Sequence, residues 1–215
     1  CMQHCLTPAE GQFFDDNGYL HVKGALSSEH VTRLLAAGDR VNAWARELKE
    51  MAPDEGRLNL LDFIGLDDEF LELLDYPTTF PKVWGLMGWH ISLYHSHMIY
   101  TPPAPPVANH APLAASGGWH QDSGRLNNDL EGTPRPRVSI KVGYFLTDAT
   151  SEGTGFQVIP GSHKHNLLNA DGSSMLVEPA DGVPTTADAI SVQVQAGDAV
   201  FFDRRVWCAL ASQLF

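Results

Sequence analysis

Cysteine is scarce in this chain: three residues in 215, Cys1, Cys5 and Cys208, cannot supply a disulfide framework. That scarcity fits a reducing compartment, and the expected location is the cytoplasm. Basic residues are also in short supply. Lysine and arginine number 14 against 26 aspartates and glutamates, leaving a net charge of -12 and a pI near 5.1. A nucleic-acid binder needs clustered cations to neutralise phosphates, so that class is excluded, and the acidic balance serves solubility. No unbroken apolar run approaches the roughly 18 to 20 residues that span a bilayer. No basic leader followed by an apolar core opens the chain, and neither an internal repeat nor a low-complexity tract interrupts it. The start at Cys1 and the end at Phe215 read as those of an incomplete gene product.

What is present is an ordinary folded composition, 43% hydrophobic and 19% charged, which argues against disorder. The length suits one domain with a sizeable core, divided into a helical flank over 1–90 and a β core over 91–215. Thr7-Pro8-Ala9-Glu10 has the form of a capping box with proline at the first helical position, and Asn17-Gly18 should end that helix near Asp16. Tyr19 to Val22 alternates like a short strand. Ser27 or Ser28 caps a second, amphipathic helix whose apolar stripe runs through Val31, Leu34, Val41, Trp44 and Leu48. Leu58 to Leu61 and Phe70 to Leu74 are expected as short helical turns, with Pro77 and Pro81 as breaks.

Beyond Pro81 the pattern changes to strands. Ile91 to Tyr100 alternates, placing Leu93, His95, His97 and Ile99 on one face, and a long proline-rich loop over Pro102 to Gly118 follows. Trp119-His120-Gln121-Asp122 comes next, then an acidic loop through Asn127, Asp129 and Glu131. Val138 to Leu146, Phe156 to Ile159, Ile190 to Val194 and Val200 to Phe202 are further strands joined by glycine and proline turns. Many short strands after a helical opening predict a mainly β fold with a helical flank, as a barrel or sandwich.

His120 and Asp122 carry the chemistry. Two positions apart on a strand, they point to the same face and can supply two corners of a metal site. A ferrous oxygenase site needs two histidines and one carboxylate on one side of the ion, with the remaining positions open. Trp119 and Gln121 point the other way.

Three stretches set this pair in context: the strand Val138 to Leu146, the turn Pro160-Gly161-Ser162-His163, and the run Gly197-Asp198 through Val206-Trp207. In that order, and with the opening Leu6 to Leu35, they resemble the phytanoyl-CoA dioxygenase family over nearly the whole chain. The resemblance implies a double-stranded β-helix of the jelly-roll, cupin-like kind. It implies an enzyme that uses iron(II) and 2-oxoglutarate as co-substrate to hydroxylate a small organic substrate with dioxygen. His120 and Asp122 take the places of iron ligands. Because a small residue replaces this carboxylate in related halogenases, Asp122 implies hydroxylation.

The resemblance also marks a departure. The family's second iron histidine is expected after Val206-Trp207, where this chain has Cys208, and the arginine that anchors oxoglutarate further along has no counterpart. Lys141 and Arg125 are the candidate cations in its place, with Ser139 beside Lys141 on one strand face. His95, His97, His110, His163 and His165 do not replace the absent ligand on spacing, and His163 is expected to shape its turn. Three readings of Cys208 stand open: a truncation that removes the last barrel strands, a pseudoenzyme that binds a small acid or a protein partner, or a working His-Asp-Cys site. A histidine-denser cupin metalloenzyme without oxoglutarate is a further rival. Loss of the last strands would expose a sheet edge and favour self-association.

Overall fold

The computed structural model describes residues 3–53, 55–100, 119–130, 132, 136–149, 156–165 and 182–210. The first helix, α1 (Pro8–Asn17), is built by its cap as expected: Glu10 N–H donates to Thr7 Oγ1 at 3.2 Å, and the Glu10 carboxylate accepts from Thr7 N–H at 2.8 Å. Gly18 closes it in the left-handed region at φ 80°, where a Cβ would be strained. The chain then enters β1 (Tyr19–Val22) and α2 (Ser28–Leu48), capped by the Ser27 hydroxyl.

Leu58–Leu61 is a strand, β2, and not the helical turn its sequence suggested. Leu58 and Leu60 are buried while Asn59 and Leu61 are exposed, a period of two that four residues cannot distinguish from one helical turn. Its partner is β3 (His97–Tyr100), and only this end of the expected Ile91 to Tyr100 strand joins a ladder. Two helices follow β2, a short α3 (Asp68–Leu71) and then α4 (Phe80–Met87), where Pro81 lies in the first turn and starts a helix rather than breaking one. The expected acidic loop after Asp122 contains α5 (Gly124–Asp129).

The remaining strands are β4 (Ile140–Tyr144), β5 (Phe156–Ile159), β6 (Ile190–Val192), β7 (Ala199–Asp203) and β8 (Trp207–Leu210). They form two antiparallel three-stranded sheets, ordered β1-β7-β4 and β6-β5-β8. Alternation along each strand divides the core. Val200 of β7, Phe156 and Val158 of β5, Val192 of β6 and Cys208 of β8 turn inward between the sheets, with Val194 and Val206. Phe201 and Ala199 of β7 turn outward and pack with Phe14 of α1, Leu20 of β1 and the partly buried Val83 and Leu86 of α4. Trp207 and Ala209 of β8 pack on the opposite outer face with Ile159 and Trp119. A separate cluster joins α2 to β2 through Leu34, Leu58 and Phe70, each contributing about 1.5 to 3 kcal/mol by burial. No helix among the described residues is long and apolar enough to cross a membrane.

Candidate metal centre

The strand β8 and the segment Trp119 to Asp122 meet edge to edge. His120 N–H donates to Cys208 O at 3.1 Å and Cys208 N–H donates to His120 O at 3.0 Å, so the two residues face one another as a hydrogen-bonded antiparallel pair. Asp122 N–H donates to Arg204 O at 2.8 Å, extending the register towards β7. With the backbone locked in this way, the donor atoms of His120, Asp122 and Cys208 all lie within 4.8 Å of one another. His120 Nε2 is 3.8 Å from Asp122 Oδ1.

A small ring of bonds holds Asp122. Asn127 Nδ2 donates to Asp122 O at 2.8 Å, and Arg204 Nε donates to Asn127 Oδ1 at 3.0 Å. Ser123, directly after Asp122, sits in the left-handed region at φ 57°, a turn that carries the chain into α5 and costs a non-glycine residue about 1 kcal/mol. Sequence reasoning missed Asn127 and Arg204 as supports. The buried doublet Arg204-Arg205 was the available signal, since charged residues are seldom buried without partners.

Lys141 of β4 reaches the same place. Its Nζ is 2.8 Å from Asp122 Oδ2, leaving Oδ1 as the oxygen facing His120. Ser139 lies two residues earlier; its Oγ is buried and has no hydrogen-bond partner among the described residues. Arg125 is on α5, but its side chain lies outside the described residues, as do His110 and the whole loop from Pro102 to Gly118. Trp119 packs away from the site in the outer cluster, and Gln121 Nε2 donates to Arg205 O and to His165 O.

Electrostatics distinguish the three corners. Burial pushes the Cys208 thiol far up from its ordinary value, and the Asp122 carboxylate adds to that, with Lys141 opposing. Without an ion the sulfur is therefore a neutral thiol. His97 of β3 lies close enough to feel this site: burial lowers its pKa, His95 and Lys141 add to the lowering, and Asp122 opposes it. Its ring Nε2 bonds Asn59 Oδ1, and it stands edge-on to His95. His163 is elsewhere, packed on Gly18 with Nε2 3.2 Å from Asp15 O, where burial lowers its pKa to about 4.

A second group, His30 with Glu69 and Glu72, also brings three donors together. There Arg33 already binds both carboxylates, Glu69 at 2.9 Å and Glu72 at 2.8 Å, so that group is an ion-pair network.

For iron(II), the imidazole and carboxylate fit a two-histidine, one-carboxylate set, which has a second imidazole and no sulfur. The set as a whole suits a divalent transition ion.

A sequence model described as phytanoyl-CoA dioxygenase matches residues 14–209. None of the curated proteins matches the chain in sequence. Among solved structures, EctD from S. alaskensis with 2-oxoglutarate and 5-hydroxyectoine superposes with a TM-score of 0.67 at 15% identity, covering 97% of this chain and 71% of that one. HygX from Streptomyces hygroscopicus, with nickel and 2-oxoglutarate bound, gives 0.66 at 17% identity, covering 98% and 82%. The alpha-ketoglutarate-dependent carbocyclase SnoK from nogalamycin biosynthesis gives 0.62 at 20%, covering 97% and 79%. At these identities the likeness establishes a shared fold, cupin-like and mainly β.

Proposed function

Because the chain belongs to the phytanoyl-CoA dioxygenase family, we propose that it is an iron(II)- and 2-oxoglutarate-dependent dioxygenase that hydroxylates a small organic substrate. The observation that carries this reading is the convergence of His120, Asp122 and Cys208 on one point, across a strand pairing that fixes two of them. Solved structures of the same fold include EctD with 2-oxoglutarate, EctD with iron, and HygX with nickel and 2-oxoglutarate. Residues 1–215 act as one oxygenase-like domain in this proposal, supported by the pairing of β1 from the helical flank with β7 of the barrel.

Each residue then has a task. His120 and Asp122 hold the ion, with Cys208 as the third donor. Iron(II) held by these residues together with 2-oxoglutarate would supply the oxidising power for hydroxylation. Lys141 fixes the non-ligating oxygen of Asp122 and so sets which oxygen faces the ion. The Ser139 hydroxyl, just before β4 and without a hydrogen-bond partner among the described residues, is a candidate donor to a carboxylate of 2-oxoglutarate. Lys141 is the cation for the same acid in this proposal, with Arg125, whose side chain lies outside the described residues, as the alternative.

The experiment is succinate formation from 2-oxoglutarate by protein reconstituted anaerobically with iron(II) and then exposed to air. Succinate is expected, and His120→Ala should abolish it. Absence of succinate at full iron loading overturns the reading.

Cys208 favours a second reading, in which the barrel binds a small acid or a protein partner without turnover. A buried neutral thiol and a carboxylate already paired with Lys141 make a site that is satisfied without an ion. Under that reading, 2-oxoglutarate or a related acid protects the protein against unfolding while no succinate is made.

A further inference from the structure

The sulfur at the third corner alters which ion this site prefers, a question that rests on the reading of His120, Asp122 and Cys208 as one metal site. We propose that Cys208 makes the site selective for zinc(II), which displaces iron(II) from His120, Asp122 and Cys208.

Geometry is the first support. Tetrahedral zinc takes sulfur at about 2.3 Å and nitrogen or oxygen at about 2.0 to 2.2 Å, which sets donor separations of roughly 3.3 to 3.6 Å. His120 Nε2 and Asp122 Oδ1 are already 3.8 Å apart, and all three donors lie within 4.8 Å. Small side-chain movements close the set. The backbone need not move, because the paired His120 and Cys208 are locked at 3.1 and 3.0 Å through their peptide groups.

Donor chemistry is the second. Thiolate is soft, and among divalent ions it favours zinc over ferrous iron, adding to the ordinary affinity order in which zinc already exceeds iron. Three protein donors and one open position form a familiar zinc arrangement, whereas a facial ferrous oxygenase site needs a second imidazole. As the sulfur–zinc bond forms, the thiol proton passes to solvent and no electron changes hands.

Charge is the third. Thiolate and carboxylate together cancel the two positive charges of the ion, whereas an imidazole in place of the sulfur would leave one uncancelled. An ion neutralised in this way attracts dianionic 2-oxoglutarate less, and Lys141 is already engaged with Asp122 at 2.8 Å.

The test uses the full chain, stripped of metal and offered equimolar zinc(II) and iron(II) without oxygen, followed by desalting and elemental analysis. Zinc is expected to exceed iron by about tenfold or more. Cobalt(II) titration gives a second readout, since a cobalt–thiolate bond shows intense near-ultraviolet charge-transfer absorption that imidazole and carboxylate do not. That band should vanish in Cys208→Ser, with zinc affinity falling about tenfold or more. Cys208→His should bind metal without the band and lower the zinc-to-iron ratio. Circular dichroism confirms that both variants fold. A His120-dependent cobalt complex lacking the sulfur band, or a zinc-to-iron ratio unchanged in Cys208→His, overturns the proposal. So does failure of the folded chain to bind either metal. Loss of the dioxygenase reading is seen separately, as a lack of succinate from iron-loaded protein, and leaves the metal competition intact.

Discussion

Replacing Gly18 by alanine should destabilise this protein by about 2 to 5 kcal/mol, from two separable causes. The first is conformational. Gly18 ends α1 at φ 80°, and a Cβ in the left-handed region costs about 1 to 2 kcal/mol. The second is steric, for a Cβ built there would stand 2.5 Å from Nδ1 and 2.8 Å from Cγ of His163. The ring is only 4% exposed and its Nε2 is held against Asp15 O at 3.2 Å, so it cannot swing aside without loss. Forcing such a contact into a packed site costs about 1 to 3 kcal/mol. Moreover, Gly18 O accepts from Asp203 N–H at 2.9 Å, so strain at this cap reaches the end of β7. Urea unfolding followed by circular dichroism measures the loss. Combining Gly18→Ala with His163→Ala separates the causes, because removing the ring relieves the clash and leaves the backbone cost. A coupling of about 1 to 3 kcal/mol is expected between the two changes. Strict additivity, or a total loss below about 1 kcal/mol, would refute the steric argument.

Two further predictions concern the same region. Burial lowers the pKa of His163 from 6.5 to about 4, so the folded state binds fewer protons at this ring than the unfolded chain does. Its contribution is fully present above pH 6.5 and is lost as pH falls towards 4, to a total of about 3 kcal/mol. Urea midpoints at pH 7.5 and 4.5 should therefore differ more in the wild type than in His163→Asn, and equal differences would count against the buried neutral ring. Asp203, fully buried, accepts from Arg205 Nε at 2.8 Å and Nη2 at 2.7 Å, and Arg205 holds its carboxyl below the usual range against the opposing effect of burial. Asp203→Asn leaves the buried Arg205 uncompensated and should cost about 3 to 5 kcal/mol in thermal or chemical unfolding, with much of that recovered when Arg205 is also changed to methionine.

How far the sequence could be read depended on the range of the interactions. The caps of α1 and α2 were legible because Thr7, Glu10, Gly18 and Ser27 act on neighbours within a few residues. Strand β4 was legible from alternation, and β5 and β7 as short apolar runs between glycine and proline turns. Leu58–Leu61 was not, since its state is decided by β3, about forty positions away, and four residues carry too little periodicity. The helix α5 was hidden for a similar reason: its entry depends on Ser123 in an unusual backbone region and on Asn127 bonding back to Asp122. At the site, residue types and order pointed to His120, Asp122 and the Cys208 position. What sequence could not reveal was that Lys141 would sit on Asp122, because a strand lysine is equally at home in solvent.

The position of β7 between β1 and β4 has a consequence for how the chain is made. Tyr19 of β1 pairs with Phe202 of β7, 183 positions further along, and Ile140 of β4 pairs with Asp203. During synthesis, both outer strands of this sheet leave the ribosome before the strand that joins them exists. At roughly 5 to 20 residues per second, β1 waits on the order of 10 to 40 s for its partner. Its unpaired edge and the apolar side chains of Phe14 and Leu20 lack these partners through that interval, when an open strand edge and bare apolar surface favour aggregation.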